Sequence, residues 1–255
     1  IQIFFGWIFD YFLNMKKIPF VSFSKKENIK HAEQFALKHN LTFLSPREIR
    51  ITNNPKLVIW VGQNEIHLQD LDDKNSKPFK LNFRFTEEEN KTNNLLFKCF
   101  SKFEKSFHVL DMTGGFCQDA FYLTNMGFNV TAYEKESWVY DFTNSELKKI
   151  DAKKLKYIKM NSLSALDSIS DLNIVYIDPM FEIINKANAK KEIQFLRRTL
   201  DTEDEKEIFH SVWNSSAKVI VIKRHKLSKQ IFKKKPSYEL KGKVISFQIY
   251  DRRAL

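Results

Sequence analysis

The chain has 255 residues, two cysteines and a formal net charge of +11. That length holds one large domain, or one domain with a smaller appendage, around a core that needs no covalent staples. The single pair Cys99 and Cys117 excludes a disulfide framework and favours a reducing, cytoplasmic setting, while the positive excess points to a polyanionic partner, nucleic acid first and anionic lipid second.

The first fourteen residues, IQIFFGWIFDYFLN, are apolar but shorter than the roughly 17 a spanning helix needs, and Asp10 interrupts them. No basic segment or small-residue cleavage site marks a signal peptide. Met15 opens MKKIPFVSF, so residues 1–14 are expected to be an upstream extension, with an amphipathic anchor as the alternative, and no membrane is expected as a partner. IPFVSF is strand-like. NIKHAEQFALKHN has helical periodicity with Ile29, Phe35 and Leu37 as inward candidates. KLVIWVG and EIHLQDL read as two strands about a Gly-Gln-Asn turn, and KPFKLNFRF alternates like a half-buried strand. TEEENKTNN is a polar linker. Residues 15–94 are therefore expected to form a small N-terminal α/β domain. His31, His39 and His67 match no metal-ligand spacing, and no metal is expected.

From Leu95 the rhythm becomes strand, helix, strand. LLFKCFSKF is a helix, FHVLDM a buried strand, and DAFYLTNMG a helix closed by Gly127. FNVTAYE, KYIKMN, NIVYID and AKVIVIKRH are strands, separated by the helical ESWVYDFTNSELKKI, KEIQFLRRTL and EKEIFHSVWNSS. YELKG and KVISFQIYD close the chain as a hairpin. Residues 95–255 are thus expected to form an α/β domain with a mostly parallel seven-stranded sheet and an antiparallel C-terminal hairpin.

Ligands in open α/β sheets sit outside the carboxyl ends of the strands, so the turns there carry the functional reading. DMTGGFCQDA begins at Asp111, and Gly114 and Gly115 allow a sharp turn before a helix N-terminus. It is not the dinucleotide fingerprint: counting from Gly115, Cys117 stands where the second glycine belongs. A nucleotide loop and a plain strand–helix turn both remain open. Glu134 falls 23 residues after Asp111, where an acid accepts ribose hydroxyls. Asn161 and Ser162 can contact a base edge or cap the following helix. The fourth turn is Asp178-Pro179-Met180-Phe181. A carboxylate and a backbone carbonyl held by Pro179 would accept the N–H groups of an exocyclic amine, and Phe181 would stack on its ring, worth about 1–3 kcal/mol per base. That arrangement suits methyl transfer from a sulfonium donor, with in-line placement carrying much of the rate.

HVLDMTGGFCQDAFYL, VTAYEKE, NSLSAL, VYIDPMF with KKEIQFL, and VIVIKR resemble the ribosomal RNA small subunit methyltransferase J family, in the same order and similar spacing over roughly residues 107–224. The resemblance implies a Rossmann-like class I enzyme that uses S-adenosylmethionine to methylate a guanine N2 in small-subunit rRNA. It places cofactor contacts on Gln118 and Asp119, Glu134 and Lys135, Asn161 and Ser162, and Asp178, with Asp111 and Gly115 in the loop. Asp178, Pro179 and Phe181 would be catalytic. Two departures bear on the loop: the family usually has glycine at the position of Cys117 and arginine at that of Gln118. The family's basic, glycine-rich segment before the core is replaced here by the acidic TEEENKTNN.

An RNA partner, free rRNA or the ribosomal subunit, agrees with the charge. Lys186, Lys190 and Lys191 after the DPMF turn, with Lys223 and Arg224 ending the fifth strand, are the expected phosphate contacts; most of LSKQIFKKK reads as ordinary lysine-rich surface. The protein is expected to act as a monomer. A DNA or protein amino-methyltransferase would use the same pocket, and a non-catalytic RNA-binding module could keep the fold. The missing third glycine disfavours a nicotinamide dehydrogenase.

Overall fold

The computed structural model describes residues 18–52, 56–83, 94–166, 169, 172–179, 191–200, 205–226, 228 and 232–253. The expectations for residues 1–14, for most of TEEENKTNN and for Met180, Phe181, Lys186 and Lys190 fall outside them. In chain order the elements are β1 (Phe20–Phe23), α1 (Ile29–His39), α2 (Pro46–Ile51), β2 (Leu57–Val61), β3 (Ile66–Asp70), α3 (Leu95–Phe100), β4 (His108–Asp111), α4 (Gln118–Asn125), β5 (Asn129–Glu134), α5 (Ser137–Leu147), β6 (Leu155–Lys159), α6 (Ser162–Leu166), β7 (Ile174–Ile177), α7 (Lys191–Thr199), α8 (Glu205–Trp213), β8 (Val219–His225), β9 (Tyr238–Lys241) and β10 (Ile245–Asp251).

Two compact units form, one from the described parts of Ile1–Lys80 and Ala187–Asp201, the other from those of Leu81–Lys186 and Thr202–Leu255. In the first, β1 pairs parallel with β2, and β2 antiparallel with β3. α1 buries Ala32 and Ala36, small residues that let the helix lie close to the sheet; of the expected inward residues, Ile29 and Phe35 are partly buried, whereas Leu37 is 85% exposed. α2 begins with a reciprocal capping box: Glu48 N donates to Ser45 Oγ and Ser45 N to the Glu48 carboxylate. The described part of the expected strand KPFKLNFRF makes a single bridge, between Phe79 and Leu68; Leu81 and Phe83, in the second unit, are buried. Helix α7 belongs to this unit: Arg198 pairs with Asp70 and Asp72, and Phe195 meets Phe79 edge-on at 5.9 Å.

The second unit is built on a seven-stranded sheet in the order β6-β5-β4-β7-β8-β10-β9, with β10 antiparallel to both its neighbours. The central strand β7, IVYI, is buried on both faces, as an interior parallel strand must be. On one face Val175, Ile177, Ile220 and Ile222 pack with Leu166 of α6 and Phe209 and Val212 of α8. On the other, Tyr176 meets Phe100 of α3 and Phe247 of β10 with centroids 5.8 and 6.4 Å apart. From β4 the chain winds one way through β5 and β6, then returns to β7 on the other side of β4. The reversal between β4 and β7 is the topological switch point, where such sheets open a crevice.

Candidate active site at the carboxyl edge of the sheet

The loop after β4 is bound tightly to its neighbours. Gly114 N donates to the carbonyl of Tyr133 at 2.8 Å, and a Cβ on Gly114 would lie 2.7 Å from that oxygen, so only glycine fits. Gly115 N donates to Glu134 Oε2 at 2.9 Å, and Glu136 N donates to Glu134 Oε1 at 2.6 Å. The Gly115 carbonyl accepts the Tyr157 hydroxyl at 2.7 Å. Cys117 takes φ 58°, the left-handed region that glycine favours, and starts α4 with its side chain buried. The loop accommodates cysteine there by this backbone strain. Burial, with the charges of Asp111, Glu134 and Asp119 nearby, pushes the thiol well above its usual range, so it is a neutral packing group rather than a nucleophile.

At the switch point the register aligns side chains in rows. Asp111, Tyr176 and Val221 are paired across β4, β7 and β8. Just past these strand ends Thr113 and Asp178 meet, and Lys223 of β8 reaches them. Asp178 N donates to Thr113 Oγ1 at 2.8 Å. Thr113 N and Oγ1 both donate to Asp111 Oδ1, at 2.9 and 3.3 Å. Asp119, in the first turn of α4, receives the Tyr176 hydroxyl on Oδ2 at 2.6 Å and Lys223 Nζ on the same oxygen at 2.7 Å. Lys223 Nζ also donates to Asp178 Oδ2 at 2.7 Å.

The electrostatics follow from this crowding. Burial pushes the Asp111 carboxyl up to about 7, and the charges of Asp119 and Asp178 add to the rise against the hydrogen bonds from Thr113. For Asp119, burial works upward, but the Lys223 charge and the bonds from Lys223 and Tyr176 bring it below the ordinary range. Burial alone would lower the Lys223 ammonium; the two carboxylates outweigh it and hold the proton more tightly than in water. The side chains of Asp119 and Asp178 remain 31% and 28% exposed, so the network opens to a ligand.

Asp111, Gly115, Asp119, Glu134 and Asp178 thus converge on one edge, with half-buried Gln118 at the start of α4 and buried Pro179 after Asp178. Lys135 follows β5 and is exposed. Asn161 caps α6, its Oδ1 accepting Leu163 N at 3.0 Å, and Ser162 is buried. The expected basic surface needs correction. Lys223 lies inside the carboxylate network. Arg224, one residue on, faces the other way, is 3% exposed and lies 5.7 Å from the Phe232 ring. Lys191 is exposed but opens α7 in the first unit. Sequence reasoning missed Thr113 and Tyr176; each sits two residues from a strand-end carboxylate, a spacing that gains meaning only once the strands are in register.

A separate cleft of about 320 Å3 lies between α8 and the segment Phe232–Lys234. Its lining combines Lys206, Lys233, Lys234 and His210 with Phe209, Phe232 and Trp213. Phe209 stacks on Phe232 with centroids 3.9 Å apart, and Lys234 Nζ sits 5.0 Å from the Trp213 ring centre. Among the described residues, no helix is long and apolar enough to cross a membrane, and no group of three His, Cys, Asp or Glu residues is placed to hold a metal ion.

The model of a family described as putative SAM-dependent methyltransferase matches residues 43–252. The chain is 28% identical over 216 residues to Ribosomal RNA small subunit methyltransferase J of Buchnera aphidicola subsp. Schizaphis graminum, covering 77% of this chain and 87% of that relative. It is 29% identical over 159 residues to the protein of the same name from Hahella chejuensis, covering 59% of this chain and 60% of the relative. Against the one from Neisseria meningitidis serogroup B the figures are 27% over 156 residues, covering 56% and 62%. The matched segment therefore spans less than two thirds of the latter two. A SAM-dependent methyltransferase from Neisseria gonorrhoeae superposes with a TM-score of 0.60 at 18% identity over 93% of this chain and 97% of that one, which shows a shared fold.

Proposed function

The chain belongs to the SAM-dependent methyltransferase family, and we propose that it methylates the exocyclic N2 of a guanine in small-subunit (16S) rRNA. The observation that carries the reading is the meeting of Asp178, Thr113 and Asp119 at the switch point, beside the glycine loop and Glu134. The names of the curated relatives supply the rRNA, and guanine N2 comes from the family resemblance alone.

The residues present fit the cofactor. Glu134, which accepts the Gly115 and Glu136 N–H groups beside the glycine loop, is the acceptor for the ribose hydroxyls. The cap at Asn161 uses only its side-chain oxygen, so the amide NH2 remains a donor for the base. Gln118 and Asp119 are assigned to the methionine portion. When bound, S-adenosylmethionine supplies a methyl group made electrophilic by its sulfonium.

The chain's own residues act on the amine. Its lone pair is delocalised into the ring, and an acceptor for its N–H groups favours the pyramidal, nucleophilic geometry. Asp178 is that acceptor, held in place from its own backbone by Thr113. The Pro179 carbonyl is the second acceptor, and Phe181 is the stacking face. After transfer the nitrogen carries a surplus proton, which Asp178 receives through the same hydrogen bond and passes to water. A base inside paired RNA must first be unstacked, so looped or single-stranded RNA is the easier substrate.

The RNA backbone is met by the cleft between α8 and Phe232–Lys234, where Lys233 and Lys234 stand beside Phe209, Phe232 and Trp213. Helix α8 packs on α6, which starts at the carboxyl edge with Ser162. On this reading the protein works in the cytoplasm, as a monomer, on rRNA or the assembled small subunit.

The test is incubation of the full chain with methyl-labelled cofactor and separate pools of rRNA, DNA and protein, beside the variant Asp178→Ala. Label in rRNA only, with transfer reduced at least about 100-fold in a folded variant, is the expected result. Label in DNA or protein would change the substrate class. RNA binding without cofactor affinity would make the chain a non-catalytic module. Near-normal turnover of the variant would remove Asp178 from the chemistry.

A further inference from the structure

We propose that Lys223 is a positioning residue for methyl transfer, which fixes the Asp178 carboxylate in one orientation by bridging it to Asp119 in the first turn of α4. The inference rests on the reading of Asp178 given above and adds a residue that the reading does not require. Its ground is geometric. Lys223 Nζ is 2.7 Å from Oδ2 of both Asp119 and Asp178, and its side chain is 18% exposed. Asp119 is in turn held by the Tyr176 hydroxyl at 2.6 Å, from a residue with no exposed surface. Asp178 is therefore restrained from two sides, through its own N–H by Thr113 and through Oδ2 by Lys223.

An ion pair made only for stability would not need this placement. Tyr176 pairs with Val221, so Lys223 is level with Asp178 on the same face of the sheet, at the lip where the crevice opens. Asp111, Asp119 and Asp178 crowd one corner, and the rise of the Asp111 carboxyl reflects their mutual repulsion as well as burial. Like charges that close do not all ionise without a counter-charge. The Lys223 ammonium is that counter-charge. It commits Oδ2, so the amine is accepted by the remaining lone pairs of a carboxylate that is already aimed. Misplacement of a reacting group by about 1 Å can cost about 100-fold in rate.

The test uses the full chain with small-subunit rRNA as substrate. Three quantities are measured for Lys223→Met and Lys223→Arg: rRNA affinity, single-turnover transfer rate, and the pH profile of that rate. For Lys223→Met the expected result is a rate lowered about 100-fold at an rRNA affinity changed less than about twofold, because the group contributes no phosphate contact. The acidic limb of the profile is expected to move up by about 1–3 pH units, because the counter-charge beside the two carboxyls is gone. Lys223→Arg retains the charge but not the compact head, so the limb stays at its wild-type place while the rate falls about tenfold. This variant carries the test alone if Lys223→Met does not fold. A wild-type rate in either variant overturns the proposal. So does a loss of rate that merely follows a loss of rRNA affinity, which would make Lys223 an RNA contact. Asp178→Asn separates the two ideas: if it retains normal turnover, the reading of Asp178 itself fails, and if it is inactive while the Lys223 variants are normal, only the present inference fails.

Discussion

Asp111 is 2% exposed, and its carboxyl titrates near 7 where an ordinary aspartate titrates near 3.8. A carboxyl raised by folding holds a proton in the folded chain that the unfolded chain has already lost. Its effect on stability is absent below about 3.8, grows as pH rises through the window, and is a full destabilisation above about 7. Asp111→Asn keeps an oxygen for the Thr113 N–H and hydroxyl but removes the buried charge. It is expected to raise stability by a few kcal/mol (order of magnitude) at pH 8 and by almost nothing at pH 4; urea unfolding at the two pH values checks this, and an equal gain at both would contradict it. The carboxylates Asp111, Glu134 and Asp178 were legible in the sequence because each ends an apolar run and precedes a polar turn. Tyr176 was not legible: a tyrosine inside IVYI reads as core, and it is core, yet its hydroxyl reaches Asp119. Lys223 and Arg224 looked like one basic pair. Adjacent residues of a strand face opposite sides, so one enters the carboxylate network and the other packs near Phe232.

At the level of elements, the end of β5 organises the loop after β4. Glu134 receives Gly115 N and Glu136 N, and Gly114 packs directly on the Tyr133 carbonyl. Glu134→Gln keeps the shape but turns an NH2 toward one of two backbone donors, and leaving such a donor without a partner costs about 1–3 kcal/mol. Cofactor affinity is expected to fall about tenfold or more while rRNA affinity stays level; calorimetry giving unchanged cofactor affinity would count against the ribose role. Two elements show the limits of local pattern. The alternation of KPFKLNFRF suggested a strand, but its described part makes one bridge only, because burial of Leu81 and Phe83 satisfies the pattern without a ladder. Helix α2 went unnoticed at six residues, although Ser45-Pro46-Arg47-Glu48 carries the capping signature that starts it.

Over the whole molecule, charge and connectivity matter most. The chain leaves the second unit after β7, contributes α7 to the first, and returns for α8, so the two units are not the consecutive segments 15–94 and 95–255 expected from the sequence. The net charge of +11 signalled a polyanion without locating its site. Lys223, expected to meet RNA, is held by carboxylates, whereas Lys233 and Lys234, which read as ordinary surface in the sequence, line a cleft with aromatic side chains. The double variant Lys233→Glu and Lys234→Glu is expected to weaken rRNA binding about tenfold or more and to reduce the slope of log affinity against log salt by about 2, with cofactor affinity unchanged. An unaltered salt slope would move the RNA surface elsewhere. The sequence by itself determined the succession of strands and helices and the carboxylates at strand ends, because hydrophobic period and turn chemistry are local properties of the chain. Only the tertiary structure decided that Thr113, Asp178 and Lys223 meet and that α7 packs in the first unit. A shift of one residue in register sends a side chain to the opposite face, and no local pattern encodes which residues of distant strands lie level.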